Sequence, residues 1–257
     1  MTSVASAIDL NVDLGAPSAR DHPDDVGALD VATSVNIVCS VSPGAPSAIR
    51  KAVRNAVAKG IAIGARPEYP DASAAERHGG HSPADDLFAY VVYHVGALRA
   101  ICAAEGGRLR YVKPGGSLSR WTMRDTNAAD AVAHAVYSVD PSIALVGLAG
   151  SELLQGAKRA GLRVVREAFI DRGYRADGTL VAREQPHATL HDDAVIAERA
   201  LRMVRDHHVE AVDGTLIHVY PDTLSIDAGS ATAAPILRTV RTRLEQAGIR
   251  IAPWATA

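Results

Sequence analysis

The sequence predicts an α/β fold, a (β/α) barrel variant with seven or eight mostly parallel strands. A helical stretch, a glycine and a short β-branched run recur in that order at 52–65, 97–114, 153–169 and 240–253. Each glycine (Gly60, Gly106, Gly161, Gly248) stands where a helix takes a left-handed stop, and the residues that follow are strand formers. Repeated helix–glycine–strand units imply parallel strands with crossover helices. The 257 residues suit one such barrel and contain no Pro- or Ser-rich linker, so a single domain over 1–257 is expected. A doubly wound open sheet is the competing architecture, but no Gly-rich phosphate fingerprint follows the first strand.

The strands are expected, in order, at 7–14 (AIDLNVDL), 32–39 (ATSVNIVC), 61–65, 108–114, 142–148 (SIALVGL), 162–169, 222–227 (DTLSID) and 249–253. Long loops are expected at 16–30, 66–83 and 171–192, each after a strand, the end where barrels build their sites.

Composition narrows the function. The chain is 47% hydrophobic and 22% charged, with a formal net charge of −2, which argues against a nucleic-acid binder. No apolar run is expected to reach the roughly 18 residues of a membrane span, and the opening MTSVASAIDL lacks a basic segment. The expectation is therefore a cytoplasmic protein with no membrane partner. Two cysteines, Cys39 and Cys102, make neither a disulfide framework nor a zinc pair. The ten histidines show no HExxH spacing, and no metal is expected. No G-x-S-x-G elbow activates Ser40 or Ser42.

Within the first strand, Asp9, Asn11 and Asp13 alternate onto one face while Ile8, Leu10, Val12 and Leu14 share the other. Three polar groups on a barrel's inner face are costly unless they are used or well paired. Asp13, nearest the strand's C-terminal end, is the candidate general base; the alternative is a structural hydrogen-bond network. Lys113 ends its strand and can bind an anion as a point charge, or it can be a solvated strand-end lysine. Asn36 lies inside an apolar strand and needs partners. Arg66, at another strand's exit, suits bidentate carboxylate binding or a salt bridge at the rim.

The run IDLNVDLG at 8–15 resembles the opening of the LamB/YcsF family. The likeness continues through 33–47, 60–71, 112–118 and 145–186 and ends near 222–227, covering nearly the whole chain in order. The resemblance implies a (β/α) barrel related to the polysaccharide-deacetylase barrels. It also implies ATP-dependent opening of the lactam 5-oxoproline to glutamate by an A subunit with partner subunits B and C; self-association is left open. The family positions kept are Asp9, Asn11, Asp13, Asn36, Tyr69, Lys113, Arg172 and Tyr174. On the enzymatic reading Asp13 and Lys113 are catalytic, and Asp9, Asn11, Asn36, Arg66, Tyr69, Arg172, Tyr174 and Asp227 bind substrate.

Departures from the family pattern cluster at strand ends. The glutamate usual after the first strand is Ala16, and a Cys-Gly-x-His-x-Gly-Asp run has become Cys39, Ser40, Ser42, Gly44 and Ala45. Gly-x-His-Pro-Gly-Tyr-Pro is replaced by Gly64, Ala65, Arg66, Pro67, Glu68, Tyr69 and Pro70. Lys-Pro-His-Gly-Ala has become Lys113, Pro114, Gly115, Gly116 and Ser117, and a Val-His-Gly-Asp-like run is now Ile226, Asp227, Ala228 and Gly229. Losing those histidines removes most of the family's proton-shuttling groups, so activity is expected to be impaired or changed. A catalytically silent barrel that binds a small carboxylate or a partner protein is the alternative.

Overall fold

In a computed structural model of the chain, residues 7–14, 27–39, 45–69, 84–226 and 233–254 are described. The fold is a (β/α) barrel of parallel strands. In chain order the elements are β1 (Ala7–Leu14), β2 (Ser34–Val38), α1 (Ala45–Ala58), β3 (Ala62–Arg66), α2 (Ala84–Ala104), β4 (Leu109–Val112), α3 (Gly116–Thr122), α4 (Thr126–Val139) and β5 (Ala144–Leu148). They continue with α5 (Glu152–Arg159), β6 (Val164–Phe169), α6 (Asp193–Arg205), β7 (His208–Glu210), β8 (Leu216–His218), β9 (Thr223–Ile226), α7 (Ala233–Gln246) and β10 (Arg250–Ile251). All eight expected strands are present within a few residues of the expected bounds. The four helix-stopping glycines have positive φ, from 66° at Gly60 to 79° at Gly248, as the recurring pattern requires.

The chain divides into two compact units, one of Met1–Val35 with Arg166–Ala257 and one of Asn36–Val165. In the first, β1 pairs in parallel with both β10 and β9, and β9 pairs in parallel with β6. Helices α6 and α7 pack on each other, burying Ile196, Ala200, Leu201 and Val204 on one and Ile236, Leu237, Val240 and Leu244 on the other. Helix α6 starts cleanly because the Asp192 carboxylate accepts from the backbone N–H groups of Ala194 and Val195, at 2.9 and 3.0 Å. The antiparallel ribbon β7–β8, registered His208 to His218, was not expected from the sequence. It places His208 in a strand, and the preceding His207 takes a left-handed backbone (φ 57°).

In the second unit β4 lies between β3 and β5, all parallel. A register shift between Ile63 and Gly64 brings Gly64 against Tyr111. A Cβ at Gly64 would sit 2.1 Å from the Tyr111 ring, so the glycine is what admits the buried phenol. Helix α2 departs from the sequence expectation: over Asp86–Ala104, at mean hydropathy 1.6, it is long and apolar enough to cross a membrane. Its buried residues Leu87, Val91, Val95, Leu98 and Cys102 nevertheless form one stripe at helical spacing, and the helix packs on α1 and α4 while Tyr93 stands exposed. That is the pattern of a helix in a layered domain.

Candidate functional site

In the first unit the chemistry gathers on β1. Asp9 and Asn11 are fully buried, and the register sets them beside Thr223 and Ser225 of β9. The Asp9 carboxylate accepts hydrogen bonds from Thr33 (2.7 Å), Ser34 (2.7 Å) and Thr223 (2.5 Å). Asn11 donates to the Thr223 hydroxyl at 2.7 Å and to the Leu224 carbonyl at 3.3 Å, and accepts from Ser225 at 3.0 Å. Burial raises the Asp9 carboxyl above its ordinary range; the three hydroxyls pull it back and the nearby Glu167 pushes it further up. The arrangement matches the structural network that the sequence left open. Asp13, farther along β1, is half-buried and stands closest to that strand's C-terminal end.

Arg172 and Tyr174 serve the 171–192 segment. Arg172 donates from Nε to the Ala188 carbonyl (2.9 Å) and from Nη2 to the Val181 carbonyl (2.6 Å), both bonds buried. Tyr174 is fully buried and its hydroxyl accepts from the Phe169 N–H at 2.8 Å; burial drives its phenol far above its ordinary range. Short antiparallel bridges join Arg172 to Thr189 and Tyr174 to Leu180. The segment expected as an open loop is therefore cross-braced by its own residues.

In the second unit the β3 and β4 exits run side by side past the strand ends. The Lys113 N–H donates to the Ala65 carbonyl (2.8 Å), the Gly115 N–H to Pro67 (2.9 Å) and the Ser117 hydroxyl to Tyr69 (3.0 Å). Arg66 forms an ion pair with Glu68, each side chain mostly buried. A Cβ at Gly115 would lie 2.6 Å from the Arg66 guanidinium carbon, so Arg66 occupies the space that the histidine implied at this position by the family resemblance would need. Residues 66, 68 and 115 therefore act together: the Arg66 head lies against Gly115 and the Glu68 carboxylate pairs with it.

Helix α2 adds groups that the sequence reading missed. The Tyr90 hydroxyl donates to the Glu68 carbonyl at 2.5 Å, and His94 Nδ1 lies 2.6 Å from the Cys39 carbonyl, which leaves the ring proton on Nδ1. Tyr90 packs at a tilt against Tyr69 (centroids 4.9 Å) and His94 (4.2 Å), and Tyr69 meets Trp121 edge-on at 6.1 Å. Burial lowers His94 below its ordinary value and pushes the Cys39 thiol and the Tyr90 phenol each up to about 12. The i, i+4 spacing of Tyr90 and His94 beside the apolar stripe was the available signal.

Of the expected site residues, β1 holds Asp9, Asn11 and Asp13, while the β3–β4 exits gather Arg66, Tyr69 and Lys113, the last almost fully buried. Asn36 is buried within β2, and Asp227 lies outside the described residues, as do Ala16, Ser40, Ser42 and Gly44. Among the described residues no three His, Cys, Asp or Glu side chains gather closely enough to hold a metal ion.

Comparison with known proteins is consistent along the chain. The model of the LamB/YcsF family matches residues 8–257. The chain is 40% identical to the 5-oxoprolinase A subunit 3 of Pseudomonas syringae pv. tomato over 250 residues, covering 97% of this chain and 98% of the relative. It is 39% identical to the lactam utilization protein of Thermus thermophilus, whose crystal structure superposes with a TM-score of 0.84 over 96% of this chain and 99% of that one. A solved structure from Enterococcus faecalis V583, 13% identical over 97% of this chain and 98% of its own, has a TM-score of 0.57 and shares the fold alone.

Proposed function

The chain belongs to the LamB/YcsF family, and from that premise we propose that it is the A-type subunit of a cytoplasmic, ATP-dependent cyclic-amide hydrolase of the 5-oxoprolinase type. The observation that carries this reading is 40% identity, across 97% of the chain, to a 5-oxoprolinase A subunit. The subunit name of that relative supports partners of the B and C type.

Opening a lactam requires water to add to the ring carbonyl and the ring nitrogen to gain a proton. Asp13 is the general base in this reading, because it is the half-buried carboxylate at the end of β1, whereas Asp9 is already saturated with hydroxyl donors. Lys113 supplies a fixed positive charge for the developing oxyanion or for the substrate carboxylate. Arg66 and Tyr69 complete recognition on the β3 side and Asn36 orients, while Asn11, like Asp9, is engaged in the β1–β9 network. Arg172 and Tyr174 contribute by holding the 171–192 segment.

The β4 exit does not suit a triphosphate. The Glu68 carboxylate stands 3.8 Å from where a Gly116 Cβ would be, a negative charge at the turn a triphosphate would approach. ATP therefore belongs, in this reading, to the assembled enzyme, and no residue of this chain is assigned to it.

The second reading, a silent barrel that binds a small carboxylate or a protein, is favoured by one observation: the Arg66–Glu68 pair, with Gly115 making room for it, stands where the family resemblance places histidines. ATP-dependent glutamate release from 5-oxoproline, measured with the B and C subunits of an active relative after a pull-down confirms association, separates the two. Activity that falls at least about a hundredfold in Asp13→Ala supports the enzyme, in line with the usual worth of a general base. An associated but inactive complex supports the silent barrel.

A further inference from the structure

Helix α6 carries a buried charge that has no direct acceptor among the described residues, although Asp171 and Glu210 favour it from farther off. Arg199 is 7% exposed, and its Nη2 has no hydrogen-bond partner among the described residues. Its guanidinium carbon lies 5.4 Å from the centre of the buried Tyr174 ring, a contact that holds the group in place without accepting a hydrogen bond. Burial works against its positive charge. A buried guanidinium whose Nη2 finds no acceptor is expensive to keep, and a bound anion would supply that acceptor.

The same arginine lines a pocket of about 290 Å³ built entirely within the first unit, between α6, the β7 strand and the braced 171–192 segment. Arg202, one turn along α6, and Glu210 of β7 also line it, while Leu190, Val195 and Val212 supply apolar wall. The wall is preformed. Gly173 lets the His187 carbonyl approach to where a Cβ would meet it at 2.2 Å, and His187 is itself held in the left-handed region at φ 62°.

We propose that this pocket is a binding site for a small monocarboxylate with a short hydrocarbon portion, held by Arg199 with Arg202 as the second cation. Two guanidinium groups supply donors suited to a carboxylate. Glu210 adds one negative charge to the lining, which a monoanion tolerates better than a dianion such as phosphate. The leucine and valine walls favour a hydrocarbon tail over bare acetate.

Nuclear magnetic resonance of the arginine side-chain N–H groups in the full chain tests it, with acetate, butyrate and inorganic phosphate titrated against chloride at constant ionic strength. Butyrate is expected to shift the Arg199 resonance saturably, at several-fold lower concentration than acetate, while phosphate does not saturate. Arg199→Met should weaken butyrate binding at least tenfold, and Glu210→Gln should strengthen it. Should Arg199→Met fail to fold, Arg202→Gln takes its place, with binding weakened several-fold. No saturable shift with any anion, or undiminished binding in the folded arginine variant, overturns the site; phosphate binding more tightly than butyrate overturns its assignment to carboxylates.

Discussion

Asp9 in β1 and Glu68 just past β3 are both carboxylates shielded from solvent, yet the chain satisfies them in opposite ways. Asp9, with no exposure, is surrounded by three short hydroxyl donors and has no cation at ion-pair distance among the described residues. Glu68 keeps a fifth of its side-chain surface and is answered by one long, flexible cation, Arg66. Three hydroxyls from β2, β9 and the turn before β2 can be lost only by undoing the packing of those strands. An arginine head can swing away, and water replaces it. The difference fits the departures that the family resemblance implies: Asp9 and Asn11 are among the positions kept, while positions 66, 68 and 115 are among those that differ.

The largest effect that can break this comparison is expected from Asp9→Ala. It leaves the Thr33, Ser34 and Thr223 hydroxyls without their acceptor inside a packed unit, and each buried group so stranded costs about 1–3 kcal/mol. Some rotate to other acceptors, so a net loss of about 3 kcal/mol in urea unfolding is expected. Asp9→Asn, which keeps one acceptor oxygen, should lose about half of that. A loss under about 1 kcal/mol for Asp9→Ala would show that the network can re-form without its carboxylate, and the contrast with Glu68 would fail.

Much of this was legible in the sequence, for reasons that particular residues make plain. Gly60, Gly106, Gly161 and Gly248 announced helix ends because only glycine takes their positive φ cheaply, and β-branched runs after them announced strands. The β7–β8 ribbon escaped notice because its strands are three residues each, too short for alternation to register, although Asp213-Gly214 between them is a turn signal. Asp9 and Asn11 were legible as polar groups on an inner face. Their partners were not, since pairing β1 with β9 brings Thr223 and Ser225 from more than 200 positions away. The Arg66–Glu68–Gly115 coupling was hidden for the same reason: it depends on the β3 and β4 exits running side by side.

Acid unfolding sharpens the comparison, because the buried titrating groups of the two units have opposite signs. His94 is held below its ordinary value of 6.5 by burial, so the unfolded chain takes up its proton first as pH falls. Its contribution to stability is complete above 6.5 and is lost as pH falls through the lowered folded value. Asp9 is held above its ordinary 3.8, also by burial, so its contribution is complete below 3.8 and is lost as pH rises through the raised folded value. The difference in unfolding free energy between wild type and His94→Gln should therefore shrink on acidification from pH 7, and that between wild type and Asp9→Asn should grow. Two differences moving in the same direction would mean that one of these groups is not buried as described.

Gly115→Ala is expected to do least to stability. Its new methyl would meet the Arg66 guanidinium at 2.6 Å, a contact no real Cβ makes, so something must move. What it meets is the far end of a flexible side chain, but the ion pair is mostly buried, with 12% and 20% of the two side chains exposed, so separating it costs about 1–2 kcal/mol, above the about 0.2–1 kcal/mol of a surface pair. The guanidinium should turn away from Glu68 at a cost near the lower end of that range, about 1 kcal/mol or a Tm change of about 2–4 °C for a chain this size, still well below the loss expected for Asp9→Ala. Glu68→Gln should match it, and the double variant should add little to either single change, because both act on one pair. A Tm loss for Gly115→Ala as large as that of Asp9→Ala would show that Arg66 is locked rather than exchangeable. The altered strand exits would then be as rigid as the hydroxyl-bound carboxylate of β1, and their divergence from the family would need a cause other than low cost.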